Sequence, residues 1–144
     1  MSWWSDLFSR GNESASPVDY YAEGVQLLRS GHYHEAVTSF RLALRENPTD
    51  AAVLQQIAIA YTRIGMTDEA SRTYRTVLQN DPKASGAHYG LAFLLLREGK
   101  PEEAASHLRK FLEVAPRTAE AARHIEHARK TLRELADGAE AEAE

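Results

Sequence analysis

Residues 51–84 read AAVLQQIAIAYTRIGMTDEASRTYRTVLQNDPKA, and the stretches on either side repeat this one at a spacing of 34 residues. Gly31, Gly65 and Gly99 fall in register, as do Glu35, Glu69 and Glu103, Ala36, Ala70 and Ala104, and Pro48, Pro82 and Pro116. A period of this length marks a solenoid, in which no unit buries its own apolar face and each must stack on a neighbour. Within the quoted unit, Ala51 to Ile64 has helical periodicity and ends at Gly65, which suits a left-handed cap. A second helix is expected over Asp68 to Asn80, with Thr67 as its N-cap, acids in its first turn and Pro82 beyond its end.

The neighbours follow the same plan. The first unit predicts helices over Val18 to Ser30 and Tyr33 to Asn47, and the third over Ser85 to Glu98 and Pro101 to Val114. Pro101 sits at a first helical position, where its missing N–H costs nothing. Turns of a few residues make each pair antiparallel. Residues 117–136 continue as one helix with Ala121, Ala122, Ile125, Ala128, Leu132 and Leu135 on an apolar stripe, the pattern of a solvating end-cap. Residues 137–144 alternate Ala and Glu with too few apolar groups to pack, and read as a mobile acidic tail.

The units resemble the tetratricopeptide repeats on these residues: Tyr20, Gly24, Leu27, Ala36, Phe40 and Pro48; then Leu54, Ala58, Tyr61, Ala70, Tyr74 and Pro82; then His88, Ala92, Leu95, Ala104, Leu108 and Pro116. The resemblance covers residues 17–116. It implies an all-α, right-handed α-solenoid of three helix-turn-helix repeats, 17–50, 51–84 and 85–118, closed by a C-terminal capping helix at 119–136. Glu23 stands where the family has an apolar residue and His88 where it has an aromatic one. Glu23 predicts that one side of the first helix is less buried than in an internal unit.

Composition narrows the function. The formal charge is -4, but Asp137, Glu140, Glu142 and Glu144 supply four acids without a base, so the rest is near neutral and unsuited to nucleic acid. The chain has no cysteine, which excludes disulfides, zinc-thiolate sites and thiol nucleophiles. No run approaches the ~20 apolar residues that span a bilayer, and the first residues lack the pattern of a signal peptide, so a cytoplasmic protein is expected.

No phosphate loop, nucleophile elbow or carboxylate pair appears, and neither a catalytic residue nor a cofactor is expected. Histidines are the one source of metal chemistry. His32 and His34 flank a turn, and His124 and His127 lie one turn apart with Glu120 before them. Two histidines at that spacing lack the remaining elements of a zinc-protease motif, and histidines on repeat helices are more often solvated or half-packed. A metal-dependent enzyme is left as a residual alternative.

What remains is a surface. In the family, the first helices of successive repeats line a concave groove for a peptide or helix of another protein. Projected onto this chain, it comprises Tyr21, Val25 and Arg29; Gln55, Gln56, Ile59 and Arg63; and Gly86, Tyr89, Gly90, Phe93 and Arg97. Arg29, Arg63 and Arg97 recur at the repeat period as a ladder of guanidinium groups, or simply complement the dipoles of their helices. Gly86 and Gly90 are costly inside a helix and imply either a ligand side chain or a close helix contact against their bare backbone. The residues that clamp a peptide's C-terminal carboxylate in some members are absent. The expected ligand is therefore apolar or aromatic with acidic flanks.

Residues 1–16 form an apolar segment and linker. Wound as a helix, Trp3, Trp4, Leu7 and Phe8 share one side, and a peptide this short is either docked on something or disordered until it docks. It is expected to cap the first repeat, to dock on a partner or a second copy of the chain, or, least favoured, to touch a membrane. Two readings follow: an adaptor binding another protein, and a self-assembling protein whose Trp3 to Phe8 segment occupies its own or a neighbour's groove, making a homo-oligomer.

Overall fold

The structure, a computed structural model, describes residues 18–143. Among them are seven α-helices and no strands: α1 (Tyr20–Arg29), α2 (Tyr33–Ala43), α3 (Ala51–Ile64), α4 (Thr67–Asn80), α5 (Ser85–Arg97), α6 (Pro101–Val114) and α7 (Ala119–Ala143). The all-α solenoid expected from the sequence is the fold. The Trp3 to Phe8 segment and its linker lie outside the described residues.

The three periodic glycines make the same turn three times. Gly31, Gly65 and Gly99 have φ of 81°, 91° and 75°, a region that only glycine enters without strain. The following residue reaches back to the helix in each case: His32 N to Leu27 O, Met66 N to Tyr61 O and Lys100 N to Leu95 O, all at 2.9 Å. With the glycine N–H bonding Leu28, Thr62 and Leu96 carbonyls, these are Schellman caps. They reverse the chain and lay each second helix against its first.

Helix starts are less uniform. Asp19 Oδ1 accepts from Ala22 N at 3.0 Å, and Asp50 Oδ1 from Ala52 N at 3.0 Å, so α1 and α3 carry side-chain caps. Thr67, expected as the cap of α4, is instead its first helical residue, and Met66 precedes it without a side-chain bond. The Schellman bond from Met66 N already fixes the turn there. Helix α2 ends at Ala43, with a turn over residues 44–46 where the sequence predicted helix as far as Asn47.

Helices pack in succession, and the first helices of consecutive units, α1 with α3 and α3 with α5, also touch directly. The small residues permit this. An ideal Cβ on Gly24 would lie 2.5 Å from the buried Phe40 ring, and Ala58, Ala92, Ala36, Ala70 and Ala104 are fully buried. Phe40, Leu91, Leu94, Leu95, Leu108 and Val77 fill the space between helices. Full burial of each is worth about 1.5–3 kcal/mol, against roughly 0–1 for an exposed ion pair such as Arg75–Glu103 at 2.9 Å. The apolar seams hold the stack, and the ion pairs decorate it.

Helix α7 covers α6, burying Ala128 and Thr131 and half-burying Ile125, Leu132 and Leu135, while its remaining face is mostly solvated. Ala122, assigned to the same stripe, is exposed. The stretch past Asp137, expected as a mobile tail, continues as helix through Ala143. Alanine and glutamate are strong helix formers, and a helix already nucleated and docked extends through them without further packing.

Candidate functional site

A cleft of about 750 Å³ runs along the stacked first helices of units two and three and ends against α7. Helix α3 contributes Gln55, Ile59, Thr62 and Arg63, and α5 contributes Ser85, Gly86, Tyr89, Gly90, Phe93, Leu94 and Arg97. From behind come Tyr74 of α4 and Phe111 of α6, and the far end is closed by Pro116, Ala121 and His124. Eight of the twelve residues expected in a groove therefore share one cleft: Gln55, Ile59, Arg63, Gly86, Tyr89, Gly90, Phe93 and Arg97. The other four do not line it. Tyr21 sits near the Phe40 ring, centroids 5.9 Å apart, and lines a separate cleft with Leu42 and Val53. Val25 and Gln56 are half-buried elsewhere on their helices, and Arg29 is an exposed residue of α1 outside the cleft.

The two glycines have a structural partner each. A Cβ on Gly90 would fall 2.4 Å from Tyr74 Cζ, and one on Gly86 would fall 2.1 Å from Gln55 Nε2. Of the two explanations open to the sequence, the close contact accounts for Gly90, set against the buried Tyr74 ring, while the neighbour of Gly86 is the flexible end of Gln55; both neighbours are side chains of unit two. Tyr74 is buried, which raises its phenol pKa, with a hydroxyl contact to Thr62 pulling the other way.

An aromatic cluster closes the third-unit end. Tyr89 lies 4.8 Å from Phe93, 5.1 Å from Phe111 and 4.8 Å from His124, ring centre to ring centre, and Phe93 is stacked on His127 at 4.7 Å with planes 3° apart. The Tyr89 hydroxyl lies within hydrogen-bonding distance of His127 Nδ1, at 2.7 Å, and burial raises its phenol pKa. His124 and His127 thus have a packing role that helix spacing alone did not disclose. Among the described residues, no group of three or more His, Asp or Glu side chains is placed to hold a metal.

The electrostatics of the cleft are one-sided. Arg63 and Arg97 are exposed on its rim and enter no ion pair among the described residues, and no carboxylate lines the cleft. Each arginine also lies in the last turn of its helix, where it complements the dipole, as does Arg29. Only two of the three rungs of the expected ladder therefore meet in one site.

On the opposite side of α5 the departure at His88 is explained. Its Nε2 lies 2.8 Å from the Pro82 carbonyl, which only accepts, so Nε2 carries the proton, and Nδ1 lies 3.0 Å from His107 Nδ1. The buried ring ties the inter-unit turn to α6, a task no aromatic hydrocarbon performs.

A sequence profile of the tetratricopeptide repeat matches residues 27–83 and 65–125. The chain belongs to the tetratricopeptide repeat family. Solved tetratricopeptide structures share the architecture at low identity. SycD, the type III secretion chaperone of Yersinia enterocolitica, solved with a peptide of the translocator YopD, is 21% identical, with 81% of this chain and 88% of that chain covered and a TM-score of 0.75. PcrH, solved with the chaperone-binding region of PopD, is 17% identical, covering 82% and 89% at a TM-score of 0.74. The first such domain of Spaghetti (RPAP3), bound to the HSP90 peptide SRMEEVD, is 19% identical, covering 83% and 89% at a TM-score of 0.71. No curated protein matched this chain by sequence.

Proposed function

We propose that the protein is a non-enzymatic interaction module whose concave cleft takes an apolar or aromatic, acidic-flanked peptide or helix of another protein. One observation carries this reading: the half-buried Ile59, Tyr89 and Phe93 form a floor beside Arg63 and Arg97, which have no carboxylate partner among the described residues. An apolar floor supplies affinity by leaving water, and unpaired guanidinium groups on its rim select and orient carboxylates. Similar folds solved with peptides, among them SycD with YopD and PcrH with PopD, support the use of this architecture for peptide capture. No helix among the described residues is long and apolar enough to cross a membrane, in keeping with a role in the cytoplasm.

Selection of a displayed random-peptide library on the full chain tests the proposal. Enriched peptides combine an aromatic residue with nearby Asp or Glu, and Arg63→Glu with Arg97→Glu abolishes their enrichment. Enrichment of basic peptides, or the same peptides retained by the double variant, contradicts it.

A further inference from the structure

The first unit has an uncovered edge. In units two and three, the first helix packs against the second helix of the preceding unit, α3 on α2 and α5 on α4. Nothing among the described residues occupies that place beside α1. Period-equivalent positions show the consequence: Ile57 and Leu91 are 4% and 0% exposed, whereas Glu23 at the same register is exposed. Tyr61 and Leu95 are buried, whereas Leu27 is only half-buried, and Tyr20 is 36% exposed where His88 is 4%. Tyr20, Leu27 and Leu42 line a shallow depression of about 340 Å³ on this edge, with Glu23 and Glu35 beside them.

We propose that the chain's own Trp3 to Arg10 segment docks on this edge, in the place of a preceding unit's second helix. The sequence of the segment fits the position. Second helices bury an aromatic or large apolar side chain at one register, Phe40, Tyr74 and Leu108, and Tyr74 reaches Gly90 of the following unit; on a helical projection the segment offers Trp3, Trp4, Leu7 and Phe8 on one side. Arg10 is the segment's one cation, and the edge carries Glu23 and Glu35.

Chain length favours this occupant. The seven residues from Gly11 to Pro17 reach at most about 25 Å, and a ten-residue helix such as α1 is about 15 Å long, so the whole edge is within the tether. A short flexible tether gives an effective concentration on the order of millimolar, above that of a second copy at ordinary protein concentrations. The cleft of units two and three is thereby left to a partner.

Trp3 and Trp4 are the chain's two tryptophans, so indole fluorescence reports on the segment alone. The full chain is expected to show blue-shifted emission and protection from acrylamide, both unchanged as protein concentration is raised through the micromolar range. Tyr20→Ser with Leu27→Glu is expected to shift emission to that of solvated indole and remove the protection, and Phe93→Ser to leave both intact. Glu23→Lys, an exposed change that spares the fold, is expected to weaken the protection by opposing Arg10. Far-UV circular dichroism checks that each variant remains helical. Emission of fully solvated indole in the unaltered chain overturns the proposal. So does protection lost through Phe93→Ser but not through the edge variants, which places the segment in the cleft, or protection that rises with concentration, which places it on a second copy.

Discussion

Gly86 and Gly90 lie one turn apart on α5 and face partners of different stiffness. A Cβ at Gly90 meets the ring of buried Tyr74, whereas one at Gly86 meets the amide end of Gln55, which can swing away. Alanine gains about 0.5–1 kcal/mol over glycine inside a helix, and overpacking a buried ring costs about 1–3. Gly90→Ala is therefore expected to lower the urea midpoint and Gly86→Ala to leave it unchanged or raise it; equal effects would refute the contact assignment. The fully buried Phe40 makes Gly24→Ala destabilising in the same way. Spacing alone marked these glycines as meaningful, because a helix rarely tolerates two. It did not name Tyr74, since a partner one unit away is fixed by stacking geometry and not by register. His107 carries a second residue-scale consequence. Burial, then the charges of His88, Lys110 and Arg75, hold its pKa below the ordinary 6.5, with Glu103 opposing. Below pH 6.5 the unfolded chain takes up a proton that folded His107 resists, so stability contributed by its neutrality is full above that pH and falls as pH drops toward the lowered value. His107→Gln, which keeps a donor for His88 Nδ1, should flatten the loss of urea stability between neutral and mildly acid pH; an unchanged slope would assign the loss to other groups.

At the scale of the element, α7 does two jobs that its apolar stripe announced only in part. Ile125, Ala128 and Leu132 recur at helical spacing, and this was sufficient to read an end-cap from the letters. The contact of His124 and His127 with Tyr89 and Phe93 was not legible, because polar residues beside a stripe look solvated until the neighbouring unit is in place. The Ala-Glu stretch has too few apolar groups to pack yet stays helical, because propensity suffices once the helix is docked. Two truncations separate these parts. Removing residues 137–144, whose described side chains are exposed, is expected to leave the thermal midpoint within experimental error. Removing residues 119–144 uncovers the Tyr89 and Phe93 rings, which pack on His124 and His127, and is expected to lower the midpoint sharply and expose hydrophobic surface to a dye such as ANS. Equal midpoints for both truncations would mean that α7 does not cap the stack.

For the molecule as a whole, the period of 34 residues dictated both the solenoid and the face on which a groove would form, which is why most of the cleft could be placed from the sequence. The part that could not was the first unit. Tyr21, Val25 and Arg29 occupy equivalent register, yet the cleft lies over units two and three, where Tyr74, Phe111 and α7 wall it in. Periodicity treats all units as equal, and a finite stack does not, because its two ends have different neighbours. The central claim is that Arg63 and Arg97 read acidic flanks beside an apolar anchor. The most direct measurement is a charge swap: the affinity of one selected acidic-aromatic peptide, and of its lysine-substituted counterpart, for the unaltered chain and for Arg63→Glu with Arg97→Glu. The account predicts at least about a tenfold loss, 1.4 kcal/mol, for the acidic peptide on the double variant, and recovery of binding by the lysine peptide. Undiminished affinity of the acidic peptide for the double variant would contradict it.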